Sequence, residues 1–166
     1  MRRVAFALMG ALAAGAVFTV GSTVTAREAQ KVLDFDTMTP VVAPFTGTAN
    51  PIRGINGGGV PWRLNEAEGE LRADGRLEIE VRGLVVAATG VNPARTFAGA
   101  VSCLTPGNGG TTVVTVNKFT DPFPATTTGN AKIEAVIPDL PHPCIAPIVF
   151  VVRGDTHVWF AVTGNN

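Results

Sequence analysis

The sequence predicts an all-β domain: an antiparallel β-sandwich of about eight or nine short strands, with a small β-barrel as the alternative. Three observations point there. Runs rich in valine, threonine and isoleucine alternate with turn residues, and 19 glycines and 12 prolines punctuate 166 residues. Several runs alternate apolar and polar side chains with the period of a half-buried strand. Beyond the first 26 residues, no stretch shows a helical period.

Taken in order, Val32–Met38 alternates, with Leu33 and Phe35 on one side and Asp34 and Asp36 on the other, and reads as a strand. Pro40 interrupts it, and Val41–Phe45 makes a second short strand. Thr46–Pro61 is a long Gly/Asn/Pro loop containing Gly57-Gly58-Gly59. Glu66–Ala73 and Arg76–Val86 then flank Asp74-Gly75. A two-residue Asp-Gly turn would set Leu71 opposite Glu78 and mix the faces. A three-residue loop, Ala73-Asp74-Gly75 with Gly75 left-handed, pairs Leu71 with Leu77 and Ala67 with Val81, and the apolar faces agree. Arg95–Leu104 follows, ended by Pro106-Gly107-Asn108-Gly109-Gly110, then Thr111–Asn117. Ala131–Ile137 comes after a Thr-Thr-Thr-Gly-Asn turn, and Pro138–Pro143 is a proline-rich crossover. Ile148–Val152 is a continuous apolar run, the mark of a central strand buried on both faces. Arg153-Gly154-Asp155 spells the integrin-recognition tripeptide, but the same residues suit a turn and are read as one. Thr156–Thr163 is the last strand.

The N-terminus is of a different kind. Met1-Arg2-Arg3 precedes an uncharged run from Val4 to Ala26, apolar to about Val20 and closing on Val24-Thr25-Ala26. A basic start, an apolar stretch and small residues before a cut are the parts of a secretory signal peptide. Residues 1–26 are therefore expected to be removed, leaving 27–166 as one domain whose residues 27–31 form a loose leader. An uncleaved anchor is the alternative, since the apolar run barely reaches membrane-spanning length. A lipoprotein anchor has no cysteine near the cut. Loss of Arg2 and Arg3 from 13 basic residues leaves 11 against 13 acidic, a net charge of −2. With no basic stripe to neutralise phosphates, nucleic acid is not an expected partner, and no membrane span is expected after cleavage.

Two cysteines, Cys103 and Cys144, are read as a disulfide, because an even count in an exported chain favours one. A pair of buried free thiols is the alternative. The bridge would close a loop of about 41 residues and contribute about 4 kcal/mol in the chain-entropy model.

The residues with chemistry are few. The Gly-rich stretch Arg53–Trp62 matches neither a P-loop nor a dinucleotide fingerprint and reads as conformational. Glu68, Glu70, Glu78 and Glu80 share one hairpin face, with Glu70 opposite Glu78 and Glu68 opposite Glu80. Arg72, Arg76 and Arg82 can compensate them, and a calcium ion is the functional alternative. His142 and His157 are the only histidines; with a cysteine they could hold zinc or copper, but only without the disulfide, and no dense ligand spacing supports a metal or another cofactor. Ser102 is the only serine after residue 26 and lacks a Gly-x-Ser-x-Gly elbow, so neither a Ser102–His157–Asp triad nor any other enzyme is indicated. Trp62 and Trp159 are the candidate ligand-binding residues. Trp159 falls opposite Val158, Phe160 and Val162, where it could stack on a sugar or be covered by a second layer.

Three groups of residues carry a resemblance: Asn50-Pro51-Ile52-Arg53-Gly54 with Gly59-Val60-Pro61-Trp62; the Glu-rich hairpin to Gly83-Leu84-Val85; and Val101-Ser102-Cys103-Leu104 with Pro143-Cys144-Ile145. Over most of the chain after residue 26, this pattern resembles a group of exported bacterial all-β proteins with no assigned activity. The resemblance implies the fold and the exported location, and no functional residue. The exported CHRD domains are a more distant comparison, and their histidine motif near the domain end has no counterpart here. The expectation is a secreted or periplasmic, non-catalytic structural or protein-interaction module whose partner lies in the envelope or the medium. A carbohydrate- or small-ligand-binding module and an unconventional hydrolase are the alternatives.

Overall fold

The computed structural model describes residues 29–164, so the expected signal peptide, its cleavage site and residues 27–28 of the leader lie outside the described residues. Twelve strands follow in order within them: β1 (Lys31–Phe35), β2 (Thr39–Pro40), β3 (Trp62–Arg63), β4 (Glu66–Arg72), β5 (Arg76–Arg82), β6 (Val85–Val86), β7 (Thr96–Pro106), β8 (Val113–Phe119), β9 (Phe123–Pro124), β10 (Ala131–Val136), β11 (Ile145–Arg153) and β12 (Trp159–Val162). Four of these are two-residue ladders; each of the other eight overlaps a strand expected from the sequence. They form two packed antiparallel sheets that do not close into a barrel, the sandwich the pattern predicts. The first sheet runs β1-β4-β5-β10. The second runs β2-β12-β11-β7-β8, with β9 added to β7, and β3 and β6 make a separate short ribbon.

The hairpin β4–β5 has the expected register. Leu71 pairs with Leu77, Ala67 with Val81, Glu70 with Glu78 and Glu68 with Glu80. Gly75 closes the turn at φ 86° and its N–H bonds to Arg72 O. Leu71, Leu77, Ile79 and Val81 point inward and are buried, as is Ile133 of β10, which pairs with Ile79. They pack on the inner face of the second sheet, where Phe97, Val101, Val149 and Val151 are buried. The run Val149–Val152 is buried throughout because β11 lies between β12 and β7, as its unbroken apolar sequence predicts. Cys103 and Cys144 form the expected disulfide, which joins β7 to the start of β11, where Leu104 pairs with Ile145.

Other boundaries differ from expectation. The leader is shorter, since Gln30 O accepts Ala73 N–H and Lys31 already pairs with Arg72. The first strand stops at Phe35 rather than Met38. The second lies at Thr39–Pro40, not Val41–Phe45. Pro40 is tolerated there because β2 is an edge strand, where a missing N–H costs no ladder bond. Val41 instead gives its N–H to Phe160 O and takes Trp62 N–H on its carbonyl. The expected strand Arg76–Val86 breaks at Gly83, φ 72°, so that Val85 and Val86 can leave the first sheet and pair with Trp62 and Arg63.

The Gly-rich loop folds over the outer face of the second sheet. Trp159 N–H bonds to Asn56 O, Gly58 N–H bonds to Trp159 O, and Gly57 pairs with Trp159 in parallel. Further along, the Arg53 guanidinium donates to Ala146 O (2.9 Å), and Asn117 Nδ2 donates to Arg53 O (2.9 Å). The loop therefore reaches backbone or side chains of β12, β11 and β8. It is a cover for the sheet, and its glycines serve close packing: a Cβ on Gly57 would stand 2.0 Å from Phe45 O. One buried polar side chain organises the opposite end. Asn92 donates to Ala94 O (2.8 Å) and Thr126 O (2.9 Å) and accepts Ala94 N–H (2.9 Å), which pins the entry to β7 against the turn before β10.

Candidate functional site

Because the loop covers the second sheet, the broad sheet face left open is the outer face of the first. The period of two sends every polar residue of β4 and β5 to that face, and the register then stacks them in rows. Asp34, Glu70, Glu78 and Glu134 stand opposite one another across all four strands. Glu68, Glu80 and Lys132 form the next row. These rows line an open trough of about 590 Å³ in which Asp34, Asp36, Glu68, Glu70, Glu78 and Glu80 face one cation, Lys132.

Four carboxylates in one row repel, and cations around the rim offset the repulsion. Lys31 Nζ bonds to Glu70 (2.8 Å) and Asp34 (3.0 Å), and Arg72 Nε bonds to the other oxygen of Glu70 (2.5 Å). The hydrogen bond from Lys31, then that from Arg72, holds the Glu70 carboxyl below its ordinary value, and Glu70 followed by Asp34 raises Lys31 in return. Arg82 bridges Glu80 (2.6 Å) and Glu66 (3.0 Å), which raises its own affinity for protons. Lys132 pairs with Glu134, and that bond raises the Lys132 pKa. Arg76 pairs with Asp74 (3.4 Å) instead of with a glutamate of the rows. Most of these groups are open to water, so each pair contributes little to stability. Glu68 and Glu78 form no salt bridge among the described residues, and no group there of three or more His, Cys, Asp or Glu could hold a metal ion. The calcium alternative therefore gains no support.

The compensation expected from Arg72 and Arg82 is present. Lys31, Lys132 and Glu134 were not assigned to this face from the sequence. They sit on β1 and β10, and only the pairing of those strands with the hairpin brings them in.

The other candidates are used by the fold. Trp62 is 3 % exposed, stacks on Phe160 at 3.8 Å and makes a T-shaped pair with Phe97; Trp159 is 2 % exposed between Phe45 and Phe150. Neither indole can stack on a sugar from solvent. Trp159 was expected opposite Val162, yet the two share a face. A bulge in β12 lets Phe150 pair with Val162 and Val152 with Trp159, and Phe150 and Val152 lie on the same side of β11. Ser102 is fully buried under the Arg53 loop, opposite Asn117 of β8, and its Oγ has no hydrogen-bond partner among the described residues. His157 is exposed and stacks on Phe119 at 4.2 Å, while the exposed His142 precedes the bridged Cys144. Arg153-Gly154-Asp155 is a turn, with His157 N–H bonded to Arg153 O and Arg153 to Asp155. No helix among the described residues is long and apolar enough to cross a membrane.

No family model, curated protein or solved structure matches this chain.

Proposed function

We propose that the protein is an exported, non-catalytic interaction module of the cell envelope or medium, one of the exported all-β group its sequence resembles, and that it meets a cationic partner on the open face of its first sheet. The observation that carries this reading is the use made of its reactive residues. Ser102, Trp62 and Trp159 are buried and both cysteines are bonded, so the lone serine, the thiols and the indoles are committed to packing, and neither exposed histidine lies beside Ser102 in the contacts of the fold. A charged sheet face is what remains exposed. The disulfide supports an oxidising, extracytoplasmic compartment, in keeping with the signal-like start of the chain.

Fluorescence anisotropy of a labelled oligolysine, titrated with the disulfide-bonded chain, tests the surface. Binding is expected at low salt, to weaken steeply as salt rises, and to fall in the Glu68→Gln/Glu78→Gln/Glu80→Gln variant. No binding at low salt, or binding unchanged in the triple variant, refutes the assignment of this face. Turnover of any substrate that Ser102→Ala or His157→Ala abolishes refutes the non-catalytic reading.

A further inference from the structure

The first sheet ends in the edge strand β10, beside which the short β9 of the second sheet lies, and the charges of that edge fit a second copy of the chain. Strand β10 pairs only with β5. Ile137 N–H points to β5, where it bonds to Gly75 O. By alternation, the backbone groups of Ala131, Ile133 and Ala135 also face β5, and those of Lys132, Glu134 and Val136 face outward. Two copies of one edge can join only antiparallel about a twofold axis, and outward-facing residues must then pair with outward-facing residues.

That condition leaves few registers, and charge chooses among them. One sets Lys132 opposite Lys132 of the second copy. Another sets Glu134 opposite Glu134. The register between them sets Lys132 opposite Glu134 of the second copy, and Glu134 opposite Lys132, with Ile133 on Ile133 at the axis. Both side chains stay at the surface, with relative exposures of 63 % and 55 %, so the exchange needs no desolvated charge. Glu134, which stands opposite Glu78 in its own sheet and already pairs with Lys132 of its own strand, then has a second cation across the axis.

The other edges offer no such selection. β1 is interrupted by a bulge after Lys31, and β2 has two residues. β8 exposes Val113 and Val114 but carries one charge, Lys118, which favours no register. We infer that the protein forms an isologous dimer through antiparallel addition of β10 to β10 of a second copy, in the Lys132–Glu134 register, giving one continuous eight-stranded sheet. This assignment does not depend on the partner proposed for the acidic face.

Charge swapping tests it by sedimentation velocity over a concentration series of the disulfide-bonded chain. The wild type is expected to shift from monomer toward dimer as concentration rises. Lys132→Glu and Glu134→Lys, each alone, place like charges opposite each other twice and should weaken the dimer by at least about tenfold. Mixed in equal amounts, the two variants restore both opposite-charge pairs and should form a heterodimer, and the double variant should self-associate again. A wild type that stays monomeric overturns the inference and leaves Lys132 and Glu134 as guards of the edge. Single variants that dimerise like wild type overturn it, as does a dimer lost only with Val114→Lys in β8.

Discussion

Gly69 lies on β4 where Phe35 of β1 crosses the hairpin, and replacing it by alanine tests the packing of the first sheet most sharply. A Cβ there would stand 2.2 Å from Glu78 O, 2.6 Å from Phe35 Cζ and 3.1 Å from Ile79 Cα. Two of these atoms belong to the backbone of β5 and cannot rotate away. Overpacking a core costs about 1–3 kcal/mol, and contact with backbone places this case near the upper end. The smaller conformational freedom of alanine in the unfolded chain returns about 0.4–1 kcal/mol. The net loss is then about 2 kcal/mol. For about 140 residues the unfolding entropy is about 0.3 kcal/mol/K, so Tm should fall by about 7 °C. Gly59 is the control: nothing lies within 4 Å of its added Cβ and its φ is outside the left-handed region. Gly59→Ala should be neutral or stabilising by up to about 1 kcal/mol. Thermal melts followed by circular dichroism, with urea unfolding as a second measure, compare the two. A Gly69→Ala variant that melts within a degree or two of Gly59→Ala refutes the close approach of β1, β4 and β5.

Replacing both cysteines, as Cys103→Ala/Cys144→Ala, releases a 41-residue separation and should lower stability by about 4 kcal/mol in urea unfolding; a loss under about 1 kcal/mol contradicts a structural bridge. Asn92→Ala removes three hydrogen bonds at a buried site and should cost about 2–3 kcal/mol, read as a lower urea midpoint with unchanged m. Glu70 has a folded-state pKa below its ordinary 4.5, so its contribution is present above that value and is lost as pH falls through the lower folded one. Glu70→Gln should therefore flatten the dependence of Tm on pH below about 4.5; an acid limb as steep as wild type contradicts the Lys31–Glu70–Arg72 cluster.

Period and turn chemistry made the register of the hairpin legible, because of the two loop lengths its Asp-Gly suggests only the three-residue one keeps Leu71, Leu77, Ala67 and Val81 on one face. The buried central strand β11 was legible in its unbroken apolar run, and the disulfide in an even cysteine count behind a signal-like start. What escaped depends on contacts between distant segments. Nothing local tells that Val41 will spend both backbone groups on Phe160 and Trp62, or that Gly83 will send Val85 to Trp62. Trp159 was assigned its face by strict alternation, and a single bulge in β12 changed which residues accompany it. The acidic face was half visible: its glutamates follow from the hairpin, but Asp34, Lys31, Lys132 and Glu134 join it only through strand order. Asn92 carried no signal at all, since a lone asparagine in a loop usually faces water.

The most direct measurement is the intact mass of the protein recovered separately from the medium, the envelope and the membranes of the producing cell, taken with and without reduction. The account predicts a chain beginning at Arg27, found outside the membrane fraction, that gains two hydrogens on reduction. Residues 1–26 retained in the membrane fraction, or two free thiols before reduction, would contradict the exported, disulfide-bonded module on which the functional reading stands.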